Sequence, residues 1–351
     1  MSSFNRRDFL KTSVMGGLAL VIPLKSKWDI FSIPQKKTVT SKVVLTTGNS
    51  RAEMAFQALK PFSEQVRKAI GKKQVIIKPN NVAIDIQLAS THVDTMEGIL
   101  EFLESIGING PVIIAESAAN GATFDGFENF RYFDLTKKYK VKLVDLDAEK
   151  SELIYVFDEK DFRPHAVRTS SLILDPDTYV ISSARMKTHD RVLATLSLKN
   201  IVVGAPVKDP GFAWGPQRKE GAKSDKAIIH GSGYRGINYN LYSLSKTLHP
   251  DLAVIDGYEG MEGNGPTQGT VVDHRICVAS TDWFAADRVG VELMGINFAD
   301  VGYLNYCADA GIGDPDISHY EIVGERIEDH IKKYRLSDSI QRQLIWKQPV
   351  K

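Results

Sequence analysis

Short β-branched runs alternate with longer amphipathic segments through most of this chain, and no other feature restricts the fold so strongly. Residues 43–47, 74–78, 111–116, 141–146, 178–183, 252–256 and 276–280 read as strands. Between them, 51–70 repeats Met54, Ala55, Ala58, Leu59, Phe62 and Val66 at helical spacing around Pro61, and 94–106 repeats Met96, Ile99, Leu100 and Leu103 before Gly107. Asp282 is placed to cap a helix over 283–294 that stops at Gly295. Helices are also expected at 130–139, 242–248 and 325–334, a hairpin around 154–157 and a strand at 320–323. The order predicts an α/β fold, with a mostly parallel or mixed sheet flanked by helices.

One long connection breaks the alternation. Residues 204–239 are rich in glycine and lysine, contain Pro206, Pro210, Pro216, Trp214 and His230, and show no clear period. A segment of that length is either disordered or a functional cover, so it is read as a lid. The apolar run at 252–256 ends at Asp256 and leads into Gly257, Gly260, Gly263, Gly265 and Gly269, with Glu259, Glu262 and Asn264 between them. It reads as a strand emptying into a glycine-rich loop, where the backbone approaches a ligand closely and three carboxylates point into a site.

The N-terminus concentrates positive charge. Within residues 1–37 lie Arg6, Arg7, Lys11, Lys25, Lys27, Lys36 and Lys37 against Asp8 and Asp29; the remaining chain holds 37 basic and 41 acidic residues, a formal −4 against +1 for the whole. With no basic face and no interleaved aromatic set, no nucleic-acid partner is expected. Asn5-Arg6-Arg7-Asp8-Phe9-Leu10-Lys11, followed by the mildly apolar 14–24, resembles a twin-arginine export signal. The apolar part falls short of the roughly 20 residues of a membrane span. That resemblance implies a signal and linker over 1–37, the twin-arginine translocase as a partner during export, a periplasmic or extracytoplasmic destination and no stable membrane span in the mature chain; 38–351 is then read as one α/β domain. Only Cys277 and Cys307 are present, with no Cys-x-x-Cys, too few thiolates for an iron–sulfur cluster or a structural zinc in this chain. Whether the two pair is open at this level.

In open α/β sheets the ligand crevice lies beyond the carboxyl ends of the strands. Lys78, Asn80 and Asn81 follow one predicted strand, Glu116 and Ser117 another, Lys187, Thr188 and His189 come shortly after 178–183, and Asp256, Glu259 and Glu262 follow 252–256. Asp282 follows the last. Each has a plain alternative: a solvated strand end for Lys78, a surface histidine for His189, a helix cap for Asp282, a helix or strand terminus for Lys199 and Asn200. Their convergence on five strand ends is the functional signal. Lysines and amides suit an anionic small molecule, and the acids suit a divalent ion or a proton-transfer pair. Neither Gly-x-x-x-x-Gly-Lys-Ser/Thr nor a Gly-x-Gly-x-x-Gly after a strand occurs, and Gly-x-Ser-x-Gly is absent as well. Nucleotide-dependent transfer and a nucleophile-elbow hydrolase are therefore not indicated.

Ile76-Ile77-Lys78-Pro79-Asn80, Met186-Lys187-Thr188-His189, Leu198-Lys199-Asn200, His230, Asp256-Gly257, Gly260-Met261-Glu262-Gly263-Asn264-Gly265-Pro266, and Asp282 with Ala285 and Asp287 together resemble the domain of unknown function 362 family. The resemblance covers about 43–313. It implies an α/β fold and, in many members, association with iron–sulfur ferredoxin modules, whose cysteines this chain lacks. It carries no settled activity. Two readings follow. In the first, the chain is an exported enzyme for a small anionic molecule: His189, Lys187 and His230 catalytic, Lys78, Asn80, Lys199, Asn200 and Asn264 ligand-binding, and Asp256, Glu262 and Asp282 on a divalent metal. His189 is then the general acid or base, titrating near about 6.5. In the second, the same residues belong to a non-catalytic metal or ligand carrier, or to a partner of a redox complex.

Overall fold

The computed structural model describes residues 41–349; the twin-arginine pattern at Arg6 and Arg7 lies outside them. The chain builds β1 (Lys42–Thr47), α1 (Arg51–Leu59), α2 (Ser63–Ile70), β2 (Gln74–Lys78), α3 (Val93–Ser105) and β3 (Val112–Glu116). It continues with α4 (Thr123–Asn129), α5 (Phe133–Lys138), β4 (Val141–Asp145), β5 (Ser151–Phe157), β6 (Pro164–Ser170), β7 (Thr178–His189) and β8 (Leu193–Thr195). Then come α6 (Ser197–Val202), α7 (Lys226–Gly231), α8 (Gly233–Leu244), β9 (Leu252–Asn264), β10 (Gln268–Ser280), α9 (Trp283–Leu293), α10 (Gly302–Asp309) and β11 (Glu321–Gly324).

These elements form an α/β fold around a mixed sheet in the order β11-β1-β10-β9-β7-β2-β3-β4, with β8 added antiparallel to β7. Pairs β9–β7, β7–β2, β2–β3 and β3–β4 are parallel, and β10 runs against both its neighbours. The chain lays β3 and β4 on one side of β2 and returns to place β7 on the other. Strand order therefore reverses between β2 and β7, and the splayed connections there leave a crevice at the strand carboxyl ends.

Period-two alternation sends side chains to two cores. Val43, Leu45 and Ile76 face one, packed under α6, α8, α9 and α10, whereas Val44, Val75 and Ile77 face the other, under α1, α2, α3 and α4. Pro61 breaks the first helix as expected, with a 3-10 turn between α1 and α2. Asp282 caps α9, its Oδ1 accepting from Phe284 N at 2.9 Å and Ala285 N at 3.2 Å.

Several expectations are corrected. The glycine-rich stretch is no loop: β9 runs through it to Asn264 and pairs with β10 from Gln268 onward. Glycine is demanded there by packing, since a Cβ on Gly260 would lie 2.0 Å from the Tyr334 hydroxyl. Strand β7 is twice the predicted length and absorbs Lys187, Thr188 and His189. Residues 204–239 contain α7 and most of α8 where no period was expected, and the helix expected at 242–248 starts earlier, at Gly233, and ends at Leu244. The helix expected at 325–334 is only a 3-10 turn, Ile327–His330, and the one expected at 130–139 is shortened to α5, Phe133–Lys138, with α4 ending just before it at Asn129. Cys277 and Cys307 are both free and buried.

Candidate functional site

A cavity of about 50 Å³ opens where strand order reverses, lined by Lys78, Asn80, His189, Thr195, Lys199 and His230 among others. That is room for a few water molecules or one small polyatomic ion. Lys78 ends β2 and Glu116 ends β3; their ion pair, 2.5 Å long, is 1% exposed on either side. Glu116 also accepts from Asn81 N at 2.9 Å and Ser117 N at 2.8 Å, so its charge is fully coordinated. At the end of β7 the chain turns back as β8, which sets Thr195 opposite Lys187 and Leu193 opposite His189.

Helix α6 then crosses the ends of β2 and β7. Asn200 ties it down: its Nδ2 donates to Lys78 O at 3.0 Å and to Ser182 Oγ at 3.1 Å, and its Oδ1 accepts from Asn80 Nδ2 at 3.0 Å. Asp287 of α9 receives the first amides of this helix, Ser197 N at 2.7 Å and Leu198 N at 3.1 Å. Burial pushes the Asp287 carboxyl up to about 7. Gly204, just past the helix, admits no side chain, because a Cβ would lie 2.0 Å from Asn200 O and 2.7 Å from Lys78 Nζ.

Four lysine amines cluster here. Lys78, Lys187 and Lys226 are buried and Lys199 is 6% exposed. Burial lowers all four pKa values: Lys199 to about 8, Lys226 to about 7, and Lys187 well below its ordinary value, with the neighbouring Lys199 charge adding to the last. Lys226 donates to Gly204 O at 2.7 Å and to Pro206 O, and Lys187 donates to Ala89 O. Thr195 Oγ1, Asn80 Oδ1 and Asn81 Nδ2 are buried without a hydrogen-bond partner among the described residues. Buried polar groups without partners on cavity-lining residues retain hydrogen-bonding capacity that a ligand can use.

The two histidines stack at 5.8 Å between ring centroids. Burial and then the Lys199 charge hold His189 well below 6.5 and bring His230 down to about 3, so both are neutral at pH 7. Their hydrogen bonds assign opposite tautomers. His230 Nδ1 lies 3.0 Å from Lys226 O and must donate to it, which leaves Nε2 as an acceptor. His189 Nδ1 accepts from Arg191 N at 3.0 Å, which puts the proton on Nε2. The Asp190 carboxylate also lies 3.2 Å from that nitrogen, but it is half exposed and solvated, so the fixed backbone donor decides. The expectation of a histidine poised near its free value is therefore corrected: His189 is a neutral donor and His230 a neutral acceptor.

The cavity thus gathers Lys78, Asn80, His189, Lys199 and His230, with Lys187 and Asn200 directly behind. It does not gather the acids or Asn264. Asp256 accepts from Thr95 Oγ1 and Tyr258 N, each at 2.9 Å, and lies 3.3 Å from Arg51 Nε. Glu262 accepts from Arg335 N at 2.9 Å, Asp282 caps α9, and Asn264 accepts from Ser337 Oγ and Asp338 N in the C-terminal tail. Among the described residues no three His, Cys, Asp or Glu side chains gather as a cation site. Lys226 and Thr195 were not anticipated, and Asn81 and Glu116 only as strand-end residues without a role. The four-residue spacing of Lys226 and His230, one helical turn apart, was the legible signal for the first.

A distant relative is the "Thylakoid-associated protein sll1697" of Synechocystis sp. (strain ATCC 27184 / PCC 6803 / Kazusa), 24% identical over 230 residues that cover 65% of this chain and 65% of the relative's length. No solved structure matches. The family described as Domain of unknown function (DUF362) is matched over residues 75–292, from β2 through nearly all of α9, a stretch that holds every residue lining the cavity. The chain belongs to that family.

Proposed function

We propose that this protein is an exported enzyme acting on a small, multiply charged anion held in the cavity between β2 and β7. The observation that carries the reading is the charge imbalance: the amines of Lys78, Lys187, Lys199 and Lys226 cluster there, and Glu116 is the carboxylate of the lining. Buried charge without a counterion is costly, and a ligand with two negative charges removes that cost. Lysines hold the anion, Asn80 and Thr195 orient it, and the histidines handle protons, His230 Nε2 as the base and His189 Nε2–H as the donor to developing negative charge. A non-catalytic carrier would use the same lysines; the opposed tautomers favour catalysis, because simple anion capture needs donors and His230 offers a lone pair.

The export part of the reading rests on the Arg6-Arg7 pattern and on the printed name of the relative, which places that protein at thylakoids and supports an extracytoplasmic or membrane-associated setting. Among the described residues no helix is long and apolar enough to cross a membrane.

Calorimetric titration with oxalate tests the site. Lys226 and Lys199 titrate at about 7 and about 8 in the free protein, and a bound anion favours their charged forms and raises both values. Binding then takes up protons, and affinity is greatest below pH 7 and falls as pH rises through 7 to 8 and beyond. Groups facing these amines are Lys78 and Glu116 at the ends of β2 and β3, Asp147 just past β4 with its partner Lys208, Lys187, His189 and Asp190 at the end of β7, and His230 on α7. Saturating oxalate at a hundred times its Kd should add about 2.7 kcal/mol to stability. An affinity for oxalate that is absent, or unchanged between pH 6.5 and 9, would count against the reading.

A further inference from the structure

The three lysines that line the cavity and Lys187 behind them are not equivalent. Lys78 is clamped by Glu116 and by Pro79 O at 2.8 Å, Lys187 by Ala89 O, and Lys226 by the carbonyls of Gly204 and Pro206. Lys199 has no hydrogen-bond acceptor among the described residues, although it lines the cavity and its helix is held on either side of it at Ser197 and Asn200. An amine that is positioned but not engaged is free to react.

From this arrangement we infer that Lys199 is a nucleophile that forms an imine with the carbonyl of a small 2-oxo acid, whose carboxylate is held by the neighbouring lysines. The inference rests on the anion reading above and narrows it to a substrate class. Burial is one of the means by which a lysine amine becomes nucleophilic near neutral pH, and it acts here against the opposing charge of the Asp190 carboxylate. With a pKa of about 8, roughly one Lys199 in ten is neutral at pH 7.

The histidines supply what the step needs. Lys199 is the largest charged influence on both rings, which places it beside them. Its Nζ bonds to the carbonyl carbon as the C=O π pair moves onto oxygen. Both amine protons pass in turn through His230 Nε2 to that oxygen, which leaves as water, and the C=N double bond remains. His189 Nε2–H hydrogen-bonds the oxygen while its charge develops. No oxidant or further reactant is consumed.

Trapping with pyruvate and cyanoborohydride, followed by peptide mapping of the full chain, tests this. One reduced adduct per molecule on Lys199 is expected, suppressed at least tenfold by excess oxalate, which carries the two charges but no ketone. Lys199→Arg keeps the cation and should still bind oxalate while forming no adduct. Oxalate binding without an adduct on Lys199, or adducts spread over surface lysines and insensitive to oxalate, overturns the imine and leaves the anion site standing. Failure of oxalate to bind, together with absence of adduct, removes both.

Discussion

The two ends of strand β7's neighbourhood treat charge in opposite ways. On the β2 side, amines outnumber carboxylates, and among the described residues one lysine has no hydrogen-bond acceptor and buried amides and a hydroxyl lack partners. On the β9 side, the acids are spent: Glu259 on Arg51, Asp256 on Thr95 and Arg51, Glu262 on the backbone of the C-terminal tail. Both stretches are rich in polar residues and glycine, and both follow apolar runs. The difference teaches that polar residue content marks where chemistry is affordable, while unsatisfied polarity marks where a ligand belongs.

The sharpest way to break this contrast is to remove one carboxylate from each side. Glu116→Gln leaves Lys78 buried without its counter-charge and should cost about 3–5 kcal/mol in denaturant unfolding. A smaller effect is expected from Gly260→Ala in β9, whose new methyl must displace Tyr334 and the hydrogen bond it makes with His274; about 1–3 kcal/mol should be lost with oxalate affinity unchanged. Smallest is Glu262→Gln, since Arg335 lies 3.9 Å away and is half exposed, and the amide still accepts from Arg335 N; a change within about 1 kcal/mol is expected. Equal losses at Glu116 and Glu262, read from the same unfolding curves, would erase the distinction between the two regions.

Much of the fold was legible because its signals are local. Pro61, Gly107, Asp282 and Gly295 punctuate helices through backbone geometry that depends on few neighbours, and β2 and the core of β7 are apolar runs bounded by turn signals. The β9 stretch misled because glycine there serves a contact with Tyr334 some seventy residues away, which no local pattern reports. For the same reason Asp256 and Glu262 looked like free ligands: Arg51, Thr95 and Arg335 are distant in the chain and adjacent only once folded. Lys226 went unseen because α7 is too short to show a period.

Alternating hydrophobicity alone determined that this chain forms an open α/β sheet with helices on both faces, because burying two sets of alternating side chains leaves few other arrangements. It also set Lys78, His189 and Lys199 near strand ends. Which polar groups ended up paired was decided only by the tertiary structure. Strand order, reversing between β2 and β7, chose the crevice, and long-range partners neutralised the acids of β9 while leaving Lys199 without a hydrogen-bond acceptor among the described residues, since electrostatic satisfaction depends on neighbours in space and not in sequence.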